Sequence, residues 1–112
     1  MPKAIISDVA RRDINQALKV SRKKHGVDAR KRYRKLITAS IKDIEENINK
    51  VGVEEWKPNV FRYHLRHSRD KCFIDGVRVK DPSHYLFFEE TEEGKIRILR
   101  FLYETREFHV HL

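Results

Sequence analysis

The hydrophobic period of this sequence changes near its middle, and that change constrains the fold more than any other feature. In residues 8–51, apolar side chains recur every three to four positions, as they do on one face of an α-helix. From residue 61 onward they alternate with polar side chains or form short apolar runs, as they do in β-strands. A helical half followed by a strand-forming half predicts an α+β protein.

The helical half predicts two helices. The first is capped by Ser7 or Asp8 and ends at Gly26, and the second is capped by Asp28 and ends at Gly52. Helices joined by so few residues must form an antiparallel hairpin. Its second helix carries the longer apolar stripe, made of Ala29, Tyr33, Leu36, Ile37, Ser40, Ile41, Ile44, Ile48 and Val51. Because each helix has only one such stripe, the hairpin must pack against another layer.

A short apolar run at residues 3–7 predicts a strand at a sheet edge, and residues 53–59 are interpreted as a connection. The dipeptide Asp75-Gly76 favours a type I′ turn. The other predicted strands cover residues 61–66, 72–74, 77–79, 84–91 and 95–103, the last of them inside the sheet. The expected fold is one domain of residues 1–112, in which a short N-terminal strand and an antiparallel helix hairpin pack on a C-terminal antiparallel β-sheet.

Positive charge is concentrated in the first third of the chain. The whole sequence has 25 Lys+Arg and 17 Asp+Glu, a net charge of +8, but residues 1–41 alone hold 12 basic and 3 acidic residues. A local excess of this size suits a nucleic acid or an acidic protein as partner. In residues 61–67 aromatic and basic side chains also alternate, which favours nucleic-acid binding slightly.

Several functional classes are disfavoured. No apolar run approaches the roughly 20 residues that span a bilayer, and the N-terminal residues lack the apolar core of a signal peptide. The single Cys72 excludes an intramolecular disulfide and a cysteine-based zinc cluster, and the isolated glycines form no phosphate-binding loop. We therefore expect a cytoplasmic protein that needs no membrane, no metal and no cofactor.

One set of side chains is chemically suited to cleaving RNA without a metal. That reaction needs cations for the developing charge, a base for the 2′-hydroxyl and an acid for the leaving oxygen. If the protein is an endoribonuclease, the candidate catalytic residues are Arg62, Arg66, Arg100, Tyr103, Arg106 and His109. Arg62 and Arg66 are expected to share one face of a strand. These residue types are also common in basic proteins without catalytic activity, so they do not specify the reaction.

The order of elements and the C-terminal sequence resemble those of the ParE/RelE superfamily of toxins from bacterial type II toxin–antitoxin systems. The likeness is greater to the ParE-like branch, often called plasmid stabilisation proteins. The matching motifs are Ala10-Arg11-Arg12-Asp13-Ile14, the stretch from Ala29 to Leu36, Phe61-Arg62-Tyr63-His64, the stretch from His84 to Phe88, and the ending from Ile96 to Leu112. In that ending, Tyr103 stands where the family commonly has His, and Thr105 where it commonly has Arg.

The resemblance implies a small basic toxin that is neutralised by a co-encoded acidic antitoxin. ParE-like toxins inhibit DNA gyrase and have no known hydrolytic chemistry, whereas RelE-like toxins cut messenger RNA on the ribosome. The expected function is a ParE-like gyrase inhibitor, and the alternative is a RelE-like ribosome-dependent endoribonuclease. A nucleic-acid-binding accessory domain without toxicity remains a third possibility, since it follows from charge alone.

The antitoxin is expected to fold on the groove between the helix pair and the adjacent sheet, because an acidic segment complements the basic first third. The predicted antitoxin-binding residues are Arg11, Ala17, Arg22, Arg30 and Arg34. Small side chains on the first helix, such as Ala10 and Ala17, are expected to leave space for the partner's side chains.

Overall fold

The computed structural model describes residues 4–105 and confirms the α+β architecture. Its elements are β1 (Ala4–Ile6), α1 (Asp8–His25), α2 (Val27–Glu46), β2 (Val53–Lys57), β3 (Val60–His64), a 3₁₀ helix (Leu65–Lys71), β4 (His84–Glu90) and β5 (Ile96–Tyr103). In this part of the chain, neither helix is long and apolar enough to cross a membrane.

The five strands form one sheet in the order β1-β5-β4-β3-β2. β1 lies at an edge and β5 in the interior, as expected, but β1 runs parallel to β5 and the sheet is therefore mixed rather than purely antiparallel. Ala4 pairs with Ile96, and the Ser7 N–H donates to the carbonyl of Ile98 at 3.1 Å. These bonds tie the first described residues to the last strand.

The helix hairpin covers one face of the sheet, which we call the inner face. The main core there includes Leu36, Ile37 and Ile44 of α2 with Tyr63, Leu86, Phe88, Ile98 and Phe101 of the sheet. Phe87 and Leu102 alternate with these sheet residues and lie on the opposite, outer face, where Trp56 and Tyr85 pack against them. The predicted apolar stripe of α2 is thus confirmed as its buried side.

The predicted helix boundaries are partly wrong. Ser7 is the N-cap of α1, since its Oγ accepts from the Ala10 N–H at 3.0 Å, but Gly26 rather than Asp28 precedes α2. α2 also ends at Glu46 instead of Gly52. The side chain of Asn47 accepts from the backbone of Asn49 at 3.1 Å, and this local bond competes with continuing the helix.

The segment after α2 shows why glycine is needed before the next strand. Gly52 has φ +103°, and a Cβ built on it would lie 2.6 Å from the ring of His67. Any other residue would be strained by its backbone and would also displace the imidazole. Val51, placed in the helical stripe by its spacing, is instead 86% exposed.

The strand predictions before β4 need correction. Residues 53–59, interpreted as a connection, contain the edge strand β2, whose pairing with β3 shifts between Glu55 and Lys57 and so breaks the alternation that would mark a strand. Residues 72–74 and 77–79 form no extended strands. A single bridge joins Ile74 to Val77 around Asp75 and Gly76, whose φ angles of 52° and 77° fit the predicted type I′ turn.

Candidate functional sites

Arg62 lies on the outer face between two aromatic rings. Its guanidinium carbon is 5.1 Å from the centre of the Trp56 ring and 4.8 Å from that of Tyr85. Its Nε also lies 3.3 Å from a carboxylate oxygen of Glu54, and the side chain is only 23% exposed. Cation–π contacts and an ion pair therefore hold this cation in place against the sheet.

Arg66 does not share a strand face with Arg62, because β3 ends at His64 and Arg66 belongs to the 3₁₀ helix. The side chain of Arg66 is exposed, and its backbone N–H donates to His64 Nδ1 at 3.1 Å. His64 Nε2 in turn donates to Glu104 at 2.7 Å. Burial lowers the pKa of His64, an effect that the Glu104 hydrogen bond opposes. Because both ring nitrogens are engaged, His64 is poorly placed to act as a base.

Arg100 joins β5 to the first helix. Its Nε and Nη2 donate to the two carboxylate oxygens of Asp13 at 2.7 and 3.0 Å, and the Phe101 N–H donates to the same carboxylate at 3.0 Å. Both charged side chains are less than one-fifth exposed. This bidentate, partly buried pair is suited to holding α1 on the sheet.

Tyr103 lies apart from these arginines, in a cleft of about 980 Å³ at the tip of the hairpin. We call this the tip cleft. It is bounded by the end of α1, the start of α2, the loop before β4 and the end of β5, and its lining includes Lys24, Arg32, Tyr33, Arg78, Lys80 and His84. Arg106 and His109 lie outside the described residues. The predicted catalytic residues that can be located are therefore spread over separate places.

A hydrogen-bonded pair forms the floor of the tip cleft. Tyr33 Oη lies 2.6 Å from His84 Nδ1 and accepts from the Ser83 N–H at 3.1 Å. Burial raises the pKa of Tyr33 and lowers the pKa of His84 to about 4. The neutral imidazole then has Nδ1 as its acceptor for the tyrosine proton, which places its own proton on Nε2. The ring of His84 stacks on Phe101 with centroids 4.5 Å apart.

Sequence reasoning missed this cleft. The sequence placed Tyr33 in an apolar helical stripe and His84 in a strand motif. The two residues are 51 positions apart, and nothing in that spacing predicts that their side chains are in contact. The one available signal was the presence of basic residues on both sides, in residues 19–35 and 78–80. Because those segments belong to different elements, only the tertiary structure brings them to one cleft.

The predicted antitoxin-binding residues occupy two parts of the hairpin. Arg11 and Arg34 line a groove of about 190 Å³ between α1 and α2, together with Ile14 and Ile37. Arg22 is exposed and Arg30 is half-buried, and neither lines this groove. The small side chains do not leave the expected space, because Ala10 is fully buried and the half-buried Ala17 packs against the core.

The hairpin cations have no ion-pair partners in the part of the chain that the structure describes. Residues 8–46 contain 12 Lys and Arg residues and 6 Asp and Glu residues. Within residues 4–105, two hairpin carboxylates form ion pairs, Asp13 and Asp43, and both pair with cations outside the hairpin, Arg100 and Lys71. The hairpin therefore presents positive charge that its own acidic residues do not neutralise through ion pairs.

No protein-family model matches the chain, and no curated protein matches it either.

Proposed function

We propose that this protein is the toxin of a type II toxin–antitoxin pair, a ParE-like inhibitor of DNA gyrase that an acidic antitoxin neutralises by docking on the hairpin. The observation that carries the proposal is the hairpin charge: 12 basic side chains on two adjacent helices, none of them in an ion pair within residues 8–105. Such a surface speeds association with an acidic segment and gives it a preferred site.

The fold is compatible with this family. A short strand, a helix hairpin and a sheet follow one another in the order that the resemblance implies. The groove lined by Arg11 and Arg34 combines these two cations with apolar side chains from both helices. A partner could therefore combine apolar anchoring with ionic contacts, as interfaces commonly do.

The arrangement of the arginines favours an inhibitor over the endoribonuclease alternative. A metal-independent ribonuclease needs its cations, acid and base around one phosphate. Here Arg62 is held by Trp56 and Tyr85 on the outer face, and Arg100 is held by Asp13 at the first helix. Tyr103 lines the tip cleft, whose lining includes neither arginine.

The test compares the two targets with the purified protein. We expect it to inhibit DNA supercoiling by gyrase and to leave ribosome-bound messenger RNA uncut in a parallel translation reaction. New cuts in the message without gyrase inhibition would favour the endoribonuclease, and no effect in either reaction would contradict the toxin proposal.

The docking surface is tested separately with charge reversals. Arg11→Glu combined with Arg34→Glu should weaken binding of the antitoxin, taken as the acidic product of the neighbouring reading frame, and should leave growth arrest intact. Lys95→Glu combined with Arg97→Glu provides the matched control on the sheet, where both cations are already paired with Glu93 and Glu89. Equal losses of antitoxin binding for the two double variants would place the antitoxin elsewhere.

A further inference from the structure

The tip cleft has the composition of a site for an anionic ligand that also carries a ring. Among the described residues, four cationic side chains, Lys24, Arg32, Arg78 and Lys80, line the cleft, and Asp81 is the one carboxylate there. Among residues 4–105, Arg78 is the only one of the four in an ion pair, with the exposed Asp70 at 2.8 Å. The other three form no ion pair within that range, so their charges can contact a ligand.

An aromatic surface lies beside these cations. Tyr103 is 47% exposed and meets the ring of His84 edge-on, with centroids 5.7 Å apart. The position of His84 is fixed from behind by its stack on Phe101 and by its hydrogen bond to Tyr33. Tyr103 can therefore offer a ring face to a planar ligand group while its neighbour is held still.

From these features we infer that the tip cleft binds a nucleoside polyphosphate, with the base against Tyr103 and the phosphates on the cationic rim. The cleft, at about 980 Å³, has the size of small-molecule and cofactor sites. Single-strand binding instead uses a basic groove that follows successive nucleotides. Here the cations surround one cleft, which favours a compact ligand over a chain. The inference goes beyond the proposed toxin function and does not depend on it.

The structure also gives the site a preference for charge. Neutral His84 and the hydroxyl of Tyr33 add no charge to the floor, so the excess of the rim cations over Asp81 is what a ligand meets. A triphosphate carries more negative charge and more acceptor oxygens than a monophosphate, so it can pair with more of these cations at once. Binding should therefore weaken from a triphosphate to a monophosphate.

The first experiment titrates the full chain with ATP, without added metal, by isothermal titration calorimetry. We expect adenosine and inorganic tripolyphosphate each to bind at least about tenfold more weakly than ATP, because each lacks one half of the recognised chemistry. If tripolyphosphate binds as tightly as ATP, the cleft is a general anion site, and the inference that it recognises a nucleoside is wrong. An adenine oligoribonucleotide that binds more tightly than ATP would favour a nucleic-acid chain instead.

Two matched pairs of variants test the location. Lys24→Ala should weaken ATP binding by about threefold to tenfold, while Lys23→Ala, which removes the same charge from the adjacent exposed position outside the cleft, should not. Tyr103→Leu should weaken ATP binding by about tenfold, whereas Tyr103→Phe, which keeps the ring, should retain it. Phe73→Leu changes a 45% exposed ring outside the cleft and should leave ATP binding unchanged.

The outcomes separate the inference from the proposed function. Equal losses for the two lysines, or for Tyr103 and Phe73, would mean that ATP binds through overall charge or surface apolarity, and the inference would be wrong. Absence of ATP binding would also overturn it, while gyrase inhibition would be unaffected. Circular dichroism spectra of every variant confirm that a loss of binding is not a loss of folding.

Discussion

The hairpin and the sheet differ in whether their basic side chains are paired with carboxylates. On the sheet, Arg62, Arg97 and Arg100 each have a carboxylate partner, in Glu54, Glu89 and Asp13. On the hairpin, none of the 12 basic side chains has an ion-pair partner within the described residues. Paired charges serve mainly to position the elements that carry them, whereas unpaired charges act at a distance on what approaches. Stability should therefore respond to the sheet's charges and association to the hairpin's.

The most damaging change expected is at the junction of the two regions. Asp13→Ala should lower the free energy of unfolding by about 3 kcal/mol, because it leaves the partly buried Arg100 guanidinium and the Phe101 N–H without their acceptor. Urea unfolding at pH 7 measures this loss. Asp8→Ala, on the exposed first turn of the same helix, is the control and should cost less than about 1 kcal/mol. Similar losses of unfolding free energy for both variants would show that the paired Asp13 stabilises the fold no more than the exposed Asp8.

A smaller effect is expected from acid. His84 has a pKa of about 4 in the folded protein against 6.5 when unfolded, so below pH 6.5 the unfolded chain takes up a proton that the folded chain does not. This group therefore leaves stability unaffected above pH 6.5 and reduces it as the pH falls toward 4, by about 2 kcal/mol at pH 4.5.

His84→Phe keeps a ring against Phe101 and removes the titrating group. The fall in unfolding free energy between pH 7 and pH 4.5 should then shrink by that amount, relative to the unmodified chain measured in the same urea series. His64 and His67 also have lowered pKa values, so some acid sensitivity should remain in the variant. An unchanged pH dependence would show that His84 takes up its proton as readily in the folded chain as in the unfolded chain.

The hairpin arginines should alter association far more than folding. Replacing Arg11, Arg22, Arg30 and Arg34 by Ser should slow association with the antitoxin about tenfold at low salt and flatten its salt dependence. The unfolding free energy should change by less than about 0.5 kcal/mol per site, since none of the four is in an ion pair among residues 4–105. Stopped-flow kinetics across a salt titration provide the measurement, and unchanged rates would contradict hairpin docking.

The smallest effect is expected at an exposed pair of the sheet. Glu54→Gln removes the carboxylate next to Arg62, but Glu54 is 53% exposed and the guanidinium keeps its contacts with Trp56 and Tyr85. The unfolding free energy should fall by less than about 1 kcal/mol. A loss as large as that of Asp13→Ala would mean that exposure does not distinguish the two ion pairs.

The sequence predicted the secondary-structure elements better than the tertiary contacts between them. Regular periodicity identified α2, since the positions that recur are the ones that become buried, and β5 was identified by its apolar run instead. Periodicity failed for β2, where a register shift breaks the alternation, and it extended α2 beyond Asn47, where a side-chain bond ends the helix. Local patterns carry no information about such interruptions.

The site residues were harder to predict for a related reason. Asp43 lies on the buried side of α2, where Ser68 and Lys71, which follow it by 25 and 28 residues, donate to its carboxylate and offset the cost of burying it. The Tyr33–His84 pair of the tip cleft likewise depends on a packing arrangement rather than a motif. Residue types suggest which chemistry is possible, and tertiary contacts decide which side chains are free to perform it.

The parallel pairing of β1 with β5 has a consequence for the order of folding during synthesis. Ala4 pairs with Ile96, so the first strand waits for about 90 residues before its partner leaves the ribosome. Until then the hairpin can form its helices but has only part of the surface that buries its apolar stripe. Long-range pairing of this kind slows folding. The protein therefore gains its final shape only after β5 has been made, and a nascent chain that stops before β5 would lack the strand that joins both halves.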